Sequence, residues 1–389
     1  MARPPGGRDD FEIAIVCALA REYNAVALVL DDFWDDTQYG RAISDQNIYT
    51  TGRIGEFNVV LVLLSGIGKA SAASTTASLR SSYPNIEMAL VTGICGGVPN
   101  LNGKEILLGD VIISNTVVQY DLGRRYPDAF ETKDTLNGPN KNIRNFLISL
   151  ETDRAREQLE DRTAFHLETL QGRALGRRQA ARRNYQYLGS DNDHLFTASY
   201  RHKHHATQLC GVCDVESDGV CDASRKLSCL QLDCDRQLLV PRDRIEEKRG
   251  LERIGAKEAQ CPYIFIGRIG SGDTVLKSGE DRDRIAAEHD LIAFEMEGAG
   301  VWDEVPCIIV KGICDYADSH KNKDWQDFAA ATAACVAKAI VEKYPRTDKP
   351  SGLGKEEPIF NGPVFHDEVT GSKIVTGIVS TGGTQTFNF

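Results

Sequence analysis

The stretch CIIVKGICDYADSH, residues 307–320, sets the reading of the whole chain. Its apolar half reads as a core β-strand, yet it runs straight into Cys314 and Asp315, with Asp318 and His320 close behind. A carboxylate at the end of a buried strand is expensive unless it is paired or used. Asp315 is therefore a candidate functional acid, with a helix cap or a buried partner as the structural alternative. Working outward, the same grammar recurs. FEIAIVCALAREYNAVALVL is a short β-rich run, Ile13 to Val16, passing into a periodic helix near Arg21. IYTTGRIGEFNVVLVLLSGIGKASAASTTASLR reads as a hairpin, a buried strand, a Gly-rich turn and a helix of small residues. NIEMALVTGICGGV, LLGDVIIS and YIFIGRIGSGDTVL supply further strands, and WQDFAAATAACVAKAIVEKY a closing helix. Strand-turn-helix units of this kind predict an α/β fold with a single mixed β-sheet core flanked by helices.

The expected organisation is a disordered N-terminus over 1–10 and a catalytic-looking domain over 11–344. Within that domain, residues from about 140 to 260 change character. They begin as charged amphipathic helix, with arginines at 177, 178, 182 and 183, and continue as an aperiodic Cys-rich insertion. PRTDKPSGLGKEEP, 345–358, is a linker by composition. Residues 359–389 form a flexible tail of short β-branched runs, proline-free after Pro363.

Composition removes several function classes. The 389 residues carry a formal charge of -11, which argues against a general nucleic-acid binder but not against a small anionic substrate in a locally basic pocket. No apolar run approaches the roughly 18–20 residues of a membrane span. MARPPGGRDDFE lacks the apolar segment of a signal peptide. The eleven cysteines are then expected to be thiols or metal ligands, and the protein cytoplasmic.

Three constellations fall at strand ends, where α/β sheets present functional groups. Glu22 opens the first helix, where an acid also complements the helix dipole. Ser65-Gly66-Ile67-Gly68-Lys69 is a tight turn without Walker spacing. The third constellation pairs FEMEG, whose Glu295 and Glu297 share one face of an extended segment, with ICDYAD, which carries Asp315 and Asp318.

Taken in order, AIVCALAREYNAV, LLSGIGKASAA, VTGICGGV, LGDVIIS, SGDTVL, FEMEGAG and VKGICDYAD resemble the nucleoside phosphorylase/nucleosidase superfamily over about residues 11–344. The methylthioadenosine/S-adenosylhomocysteine nucleosidases are similar, and GICDYADSHKNKDWQDFAAATAA looks like the version associated with fungal NOD-like receptors. The resemblance implies cleavage of an N-glycosidic bond. It assigns Asp315 as general acid toward the purine and Glu297 as acceptor for the ribose hydroxyls, with Met296 against the sugar. It places Val275 and Leu276 in the base pocket. Glu22 matches the hydrolase pattern in which a glutamate activates water, helped by Ser65 and the turn glycines Gly66 and Gly68. The place that holds a phosphate-binding arginine in hexameric phosphorylases reads Leu90-Val91-Thr92-Gly93. Two departures concern the same strand: nucleosidases carry an arginine where Lys311 stands and a serine where Cys314 stands. Lysine keeps the charge but loses the bidentate fork.

Arg21, His320, Lys321 and Lys323 are candidate contacts for 5′-phosphates, so the expected substrate is a purine nucleoside or nucleotide of the ATP, AMP and adenosine class. A phosphate-dependent phosphorylase and a silent nucleoside-binding sensor are the alternatives. No cofactor is required by this chemistry. Cys210-x2-Cys213, with Cys221, Cys229, Cys234 and three histidines nearby, makes a structural zinc an expectation. The resemblance further implies a homo-oligomer, and the tail resembles amyloid motifs that would join it to a NOD-like receptor in fungal defence.

Overall fold

The computed structural model describes residues 3–34, 39–101, 103–133, 136, 138–176, 183–205, 210–215 and 219–346. The chain divides into a unit over Met1–Tyr344 and a second over Pro345–Phe389. The expected tail, and the linker beyond residue 346, lie outside the described residues.

The continuous apolar runs make strands buried on both faces. β1 (Ile13–Cys17), β2 (Asp32–Phe33), β3 (Tyr49–Ile54), β4 (Phe57–Leu63) and β5 (Met88–Gly97) precede two small hairpins. The first hairpin is β6 (Asn100–Leu101) with β7 (Lys104–Glu105); the second, β9 (Gly123–Arg125) with β10 (Phe130–Thr132), follows β8 (Val111–Val118). β11 (Ile264–Ser271), β12 (Leu291–Glu295) and β13 (Cys307–Asp315) complete the set. Nine strands form one sheet in the order β12-β11-β8-β13-β5-β1-β4-β3-β2. β4, β1, β5 and β13 are mutually parallel, and β8 runs antiparallel to β13. The expected mixed sheet is present.

One extra pairing shapes the site. The end of β12 runs antiparallel along β5, Ala293 opposite Gly97 and Phe294 opposite Gly96. It carries Glu295 and the residues after it back over the middle of the sheet.

Helices cover the sheet. α1 (Ala20–Val29) and α2 (Lys69–Ser82) follow β1 and β4. α3 (Lys141–Leu150) and α4 (Asp153–Leu175) come next, then the short α5 (Gly211–Val215) and α6 (Asp243–Arg253). α7 (Gly279–His289), α8 (Gly298–Trp302) and α9 (Gln326–Lys343) finish the chain order. α9 packs on β13 and β5 and is flanked by α1 and α4. Its alanine run lets it sit hard against the strand: a Cβ at Gly312 would lie 2.0 Å from the Ala329 carbonyl oxygen.

Two expectations change. Residues 3–10 are ordered rather than disordered. A short turn at Arg8–Asp10 is closed by the Gly6 amide on Asp10, and the Tyr39 hydroxyl and Asn85 amide reach back to Pro5 and Asp9. The charged stretch from 141 to 175 is also no detached insertion. α4 buries Leu159, His166, Leu167 and Leu170, and Arg162 and His166 close on Glu342 of α9 at 2.7 and 2.9 Å. Its charges line one face while the other completes the helical layer. Among the described residues, the stretch richest in irregular chain lies between 183 and 242, ahead of α6. Of the arginine cluster only Arg183 is among the described residues, and it pairs with Asp327.

Candidate active site

Lys311 is the centre of the site. It lies mid-strand on β13, 1 % exposed, and its Nζ is 3.0 Å from Glu297 Oε2 and 3.6 Å from Glu295 Oε2. Burial pulls its pKa down, but Glu297, Glu22 and Glu295 outweigh that and raise it, so the ammonium stays charged. Two buried carboxylates thus share one cation. Glu295 is spent on scaffolding: it accepts the Glu297 and Gly298 amides and so fixes the turn from β12 into α8. Glu297 is left with Lys311 on one oxygen and a 3.3 Å contact from the Gly68 amide on the other.

Glu22 arrives from the sheet's other half. Its Oε2 accepts the Ala18 and Leu19 amides at 2.9 and 2.8 Å, and Oε1 accepts the Ile94 amide at 2.9 Å. The same carboxylate that caps α1 is therefore bonded across to β5. Gly93 makes this possible, since a Cβ there would fall 2.3 Å from Glu22 Oε1. Burial raises the Glu22 pKa, Lys311 opposes that, and Glu297 adds to the rise.

Asp315 ends β13 with 5 % exposure. Oδ1 accepts the Ala317 amide at 2.9 Å. Oδ2 receives the Cys314 thiol at 3.3 Å and Lys321 Nζ at 3.0 Å. Ala317 sits at φ 51°, a left-handed conformation that turns the chain sharply after the acid. The turn is braced by the irregular segment. Arg242 Nη1 lies 2.8 Å from Asp193 Oδ1, and the Tyr316 hydroxyl donates to the same carboxylate at 2.8 Å.

The SGIGK turn lies over the site. Gly68 takes φ 101°, which aims its amide at Glu297. Lys69 anchors the turn: its amide donates to Asp273 at 2.9 Å and its Nζ pairs with Asp121 at 2.5 Å. Ser65 is exposed with its hydroxyl 3.4 Å from Ser71, and Gly66 is exposed beside it. Met296 is half-buried between Glu295 and Glu297. Leu276 packs on a small cluster with Tyr120 and Phe294, whereas Val275 is 46 % exposed.

The candidate phosphate contacts separate. Arg21 is engaged by Asp327 at 2.8 Å, on the α9 side. His320 is buried among cysteines and His202. Lys321 is on Asp315, and Lys323 is exposed. A cleft of about 1170 Å³ adjoins Lys321, but its cations, Arg201, Arg225, Arg236, Lys277 and Lys321, are matched by Asp233, Asp235, Glu280, Asp281 and Asp324. The carboxylates around Lys311 do not line it. Two groups escaped sequence reasoning: the Asp121–Asp273 anchor for Lys69, and the Asp193–Arg242 brace on Tyr316. Both join segments distant in sequence and carry no local signal.

The family model of the phosphorylase superfamily matches residues 12–166. The chain is 28% identical over 345 residues to a nucleotide-binding leucine-rich repeat (NLR)-like protein of Hyaloscypha variabilis, covering 87% of this chain and 30% of that protein. It is 20% identical over 338 residues to a 5′-methylthioadenosine/S-adenosylhomocysteine nucleosidase of Mycobacterium bovis, covering 86% of this chain and 96% of that one. A death domain-containing ATP nucleosidase of Amphimedon queenslandica is 32% identical over 95 residues, 22% of this chain and 17% of that protein. The chain thus spans under a third of the NLR-like relative. The resemblance read from the motifs stands: the chain is similar to the phosphorylase superfamily over residues 12–166, to nucleosidases and to an NLR-like protein.

Proposed function

We propose that this chain hydrolyses the N-glycosidic bond of a purine nucleoside or nucleotide. One observation carries the reading: two buried carboxylates, Glu295 and Glu297, share a single buried ammonium, and a third, Glu22, is buried and bonded to amides alone. Such a site is short of positive charge. Heterolysis of the C1′–N9 bond supplies it, because the ribosyl group becomes cationic as the electron pair leaves with the base. Glu297, fixed by Lys311 and Gly68, is the acceptor for ribose hydroxyls. Once the incoming base displaces Lys321 from Oδ2, Asp315 takes up a proton from solvent and delivers that proton to N7 of the departing base. Water attacks C1′ and passes its proton to Glu22, held by three amides and made more basic by burial.

The same charge excess favours water over phosphate. An anionic nucleophile would meet three carboxylates and one ammonium already committed to two of them. The substrate class is ATP, AMP and adenosine, supported by the ATP nucleosidase among the relatives and by Lys321 beside the acid. A role as effector of a receptor-type defence system is supported by the NLR-like relative, with the tail as the joining segment. The test is base release from ATP, AMP and adenosine, with and without inorganic phosphate, in the wild type and in Asp315→Asn. Phosphate-independent release abolished by the substitution is expected. Release that requires phosphate would make the enzyme a phosphorylase, and tight nucleoside binding without release would make it a sensor.

A further inference from the structure

Among the described residues, two groups of His and Cys side chains are close enough to share a metal ion. One gathers His202, Cys229, Cys234 and His320; the other gathers His204, Cys210, Cys213 and Cys221. In each, one donor atom per residue lies within 4.8 Å of the other three. We infer that these are two tetrahedral zinc sites, and that the first ties the loop after Asp315 to the irregular segment.

The distances match the ion. Zinc–sulfur bonds of about 2.3 Å and zinc–nitrogen bonds of about 2.0 Å at tetrahedral angles put S and N about 3.5 Å apart and two N about 3.3 Å apart. In the first cluster Cys229 Sγ is 3.6 Å from both His202 Nδ1 and His320 Nδ1, and Cys234 Sγ is 3.7 Å from His202 Nδ1. The two Nδ1 atoms are 3.4 Å apart. In the second, His204 Nδ1 is 3.7 Å from Cys213 Sγ and 3.5 Å from Cys221 Sγ.

Tautomers give an independent argument. His202 Nε2 faces the Leu227 carbonyl at 2.9 Å and His320 Nε2 faces the Tyr200 carbonyl at 3.1 Å. A carbonyl only accepts, so each Nε2 is a donor, and the Nδ1 turned toward the cluster is the atom each ring has left for a metal. An outer carbonyl that fixes the ring is the usual support for a ligating histidine. The Ser224 amide likewise donates to Cys221 Sγ at 3.4 Å, as amides do toward thiolates.

Packing supplies the motive. Between 197 and 238 the buried apolar side chains among the described residues are Cys213 and Leu232. A segment with so little core needs another staple. Mononuclear sets of two or three thiolates with imidazole suit zinc, and neither set leaves an open position, which is the mark of a structural site. His320 then gives the first site a second consequence. Phe196 stacks on its ring at 4.2 Å, its amide is bonded to Asp318, and the next residue is the Lys321 that meets Asp315. The metal fixes the loop from which Lys321 reaches the acid. That last link rests on the reading of Asp315 above; the metal assignment does not.

Metal analysis of the full chain, purified without chelator, is expected to give two zinc per chain. Cys229→Ser/Cys234→Ser and Cys213→Ser/Cys221→Ser should each lose one. Less than a tenth of an equivalent would overturn both sites, and zinc unchanged by Cys229→Ser/Cys234→Ser would overturn the first. Should the variants fail to fold, cobalt(II) exchanged into the wild type answers instead: thiolate-to-cobalt absorption with tetrahedral d–d bands is expected, and octahedral bands alone would refute the assignment. Loss of the first zinc should speed tryptic cleavage after Lys321 and Lys323 at least tenfold. Equal cleavage with and without the metal would overturn the anchoring of the loop, whatever the activity assay shows.

Discussion

Glu22, Glu295, Glu297 and Lys311 are carried by strands and helix starts whose apolar neighbours belong to one continuous core. His202, Cys229, Cys234 and His320 meet instead where irregular chain crosses the end of β13, with few buried apolar neighbours from that segment. Both clusters are polar and largely sheltered, but the source of their order differs. In the first, hydrophobic burial sets the backbone, and backbone amides then fix the carboxylates. In the second, side-chain donors must hold the backbone. Asp315 belongs to both, since its strand comes from the core and its following turn from the irregular segment. A site divided this way fails differently when either support is removed.

The largest effect is expected at the junction of the core half. Lys311→Met leaves Glu295 and Glu297 buried without their cation, a change of roughly 3–5 kcal/mol in stability for a broken buried pair. Denaturant unfolding at neutral pH measures it, and a loss under 1 kcal/mol would show that the carboxylates do not depend on Lys311. The pH dependence sharpens the test. Burial raises the folded pKa of Glu22 and Glu295 above the unfolded value of about 4.3. The folded state therefore binds more protons, and stability falls as pH rises from the unfolded value through the folded one. In Lys311→Met that fall steepens, so the variant should recover stability in mild acid.

Next is Asp315→Asn, which keeps the shape of the strand end and removes the proton. General acid catalysis contributes on the order of 10²–10⁴-fold, and kcat/KM should drop by that much with the fold intact. Gly93→Ala breaks the core half more gently. The added methyl meets Glu22 Oε1, so the carboxylate must shift from its amides, at about 1–3 kcal/mol for overpacking. Thermal unfolding and kcat/KM should fall together; full activity would show that Glu22 need not sit where the amides hold it.

How far these features could be read in the sequence follows the same division. β1, β5 and β13 announce themselves as apolar runs, and Glu22, Glu297 and Asp315 could be placed because each follows such a run. The structure sets Glu297 3.0 Å from Lys311 and bonds Glu22 to the Ala18, Leu19 and Ile94 amides. The loop residues were legible as residue types but not as positions. His320 and Arg21 were candidates for phosphate, yet one turns to cysteines some 90 residues upstream and the other to Asp327. Nothing local encodes those choices; they are set by contacts between segments that share no periodicity. The helices at 141–175 were legible as amphipathic, but the surface their apolar face would meet was not, since α9 lies more than 150 residues further along the chain.

The smallest effect separates the two supports most finely. Lys321 is partly exposed and its pair with Asp315 is a modest one, worth on the order of 1 kcal/mol at most if it behaves as solvent-facing pairs do. Lys321→Ala frees Asp315 Oδ2 for the base, so cleavage of adenosine should change by no more than about fivefold, and upward. If ATP is the substrate as proposed, the same lysine has a second use, because an ammonium released from Asp315 by the incoming base would be free to pair with a 5′-phosphate. The substitution then removes a favourable contact, and the ATP rate should fall. The ratio of the two rates is the measurement, with Lys323→Ala, exposed and unpaired with the acid, as the control that leaves it unchanged. A ratio unmoved by Lys321→Ala would confine this lysine to holding Asp315 in the resting enzyme, and would take away the nucleotide preference while leaving the glycosidic chemistry of the core half untouched.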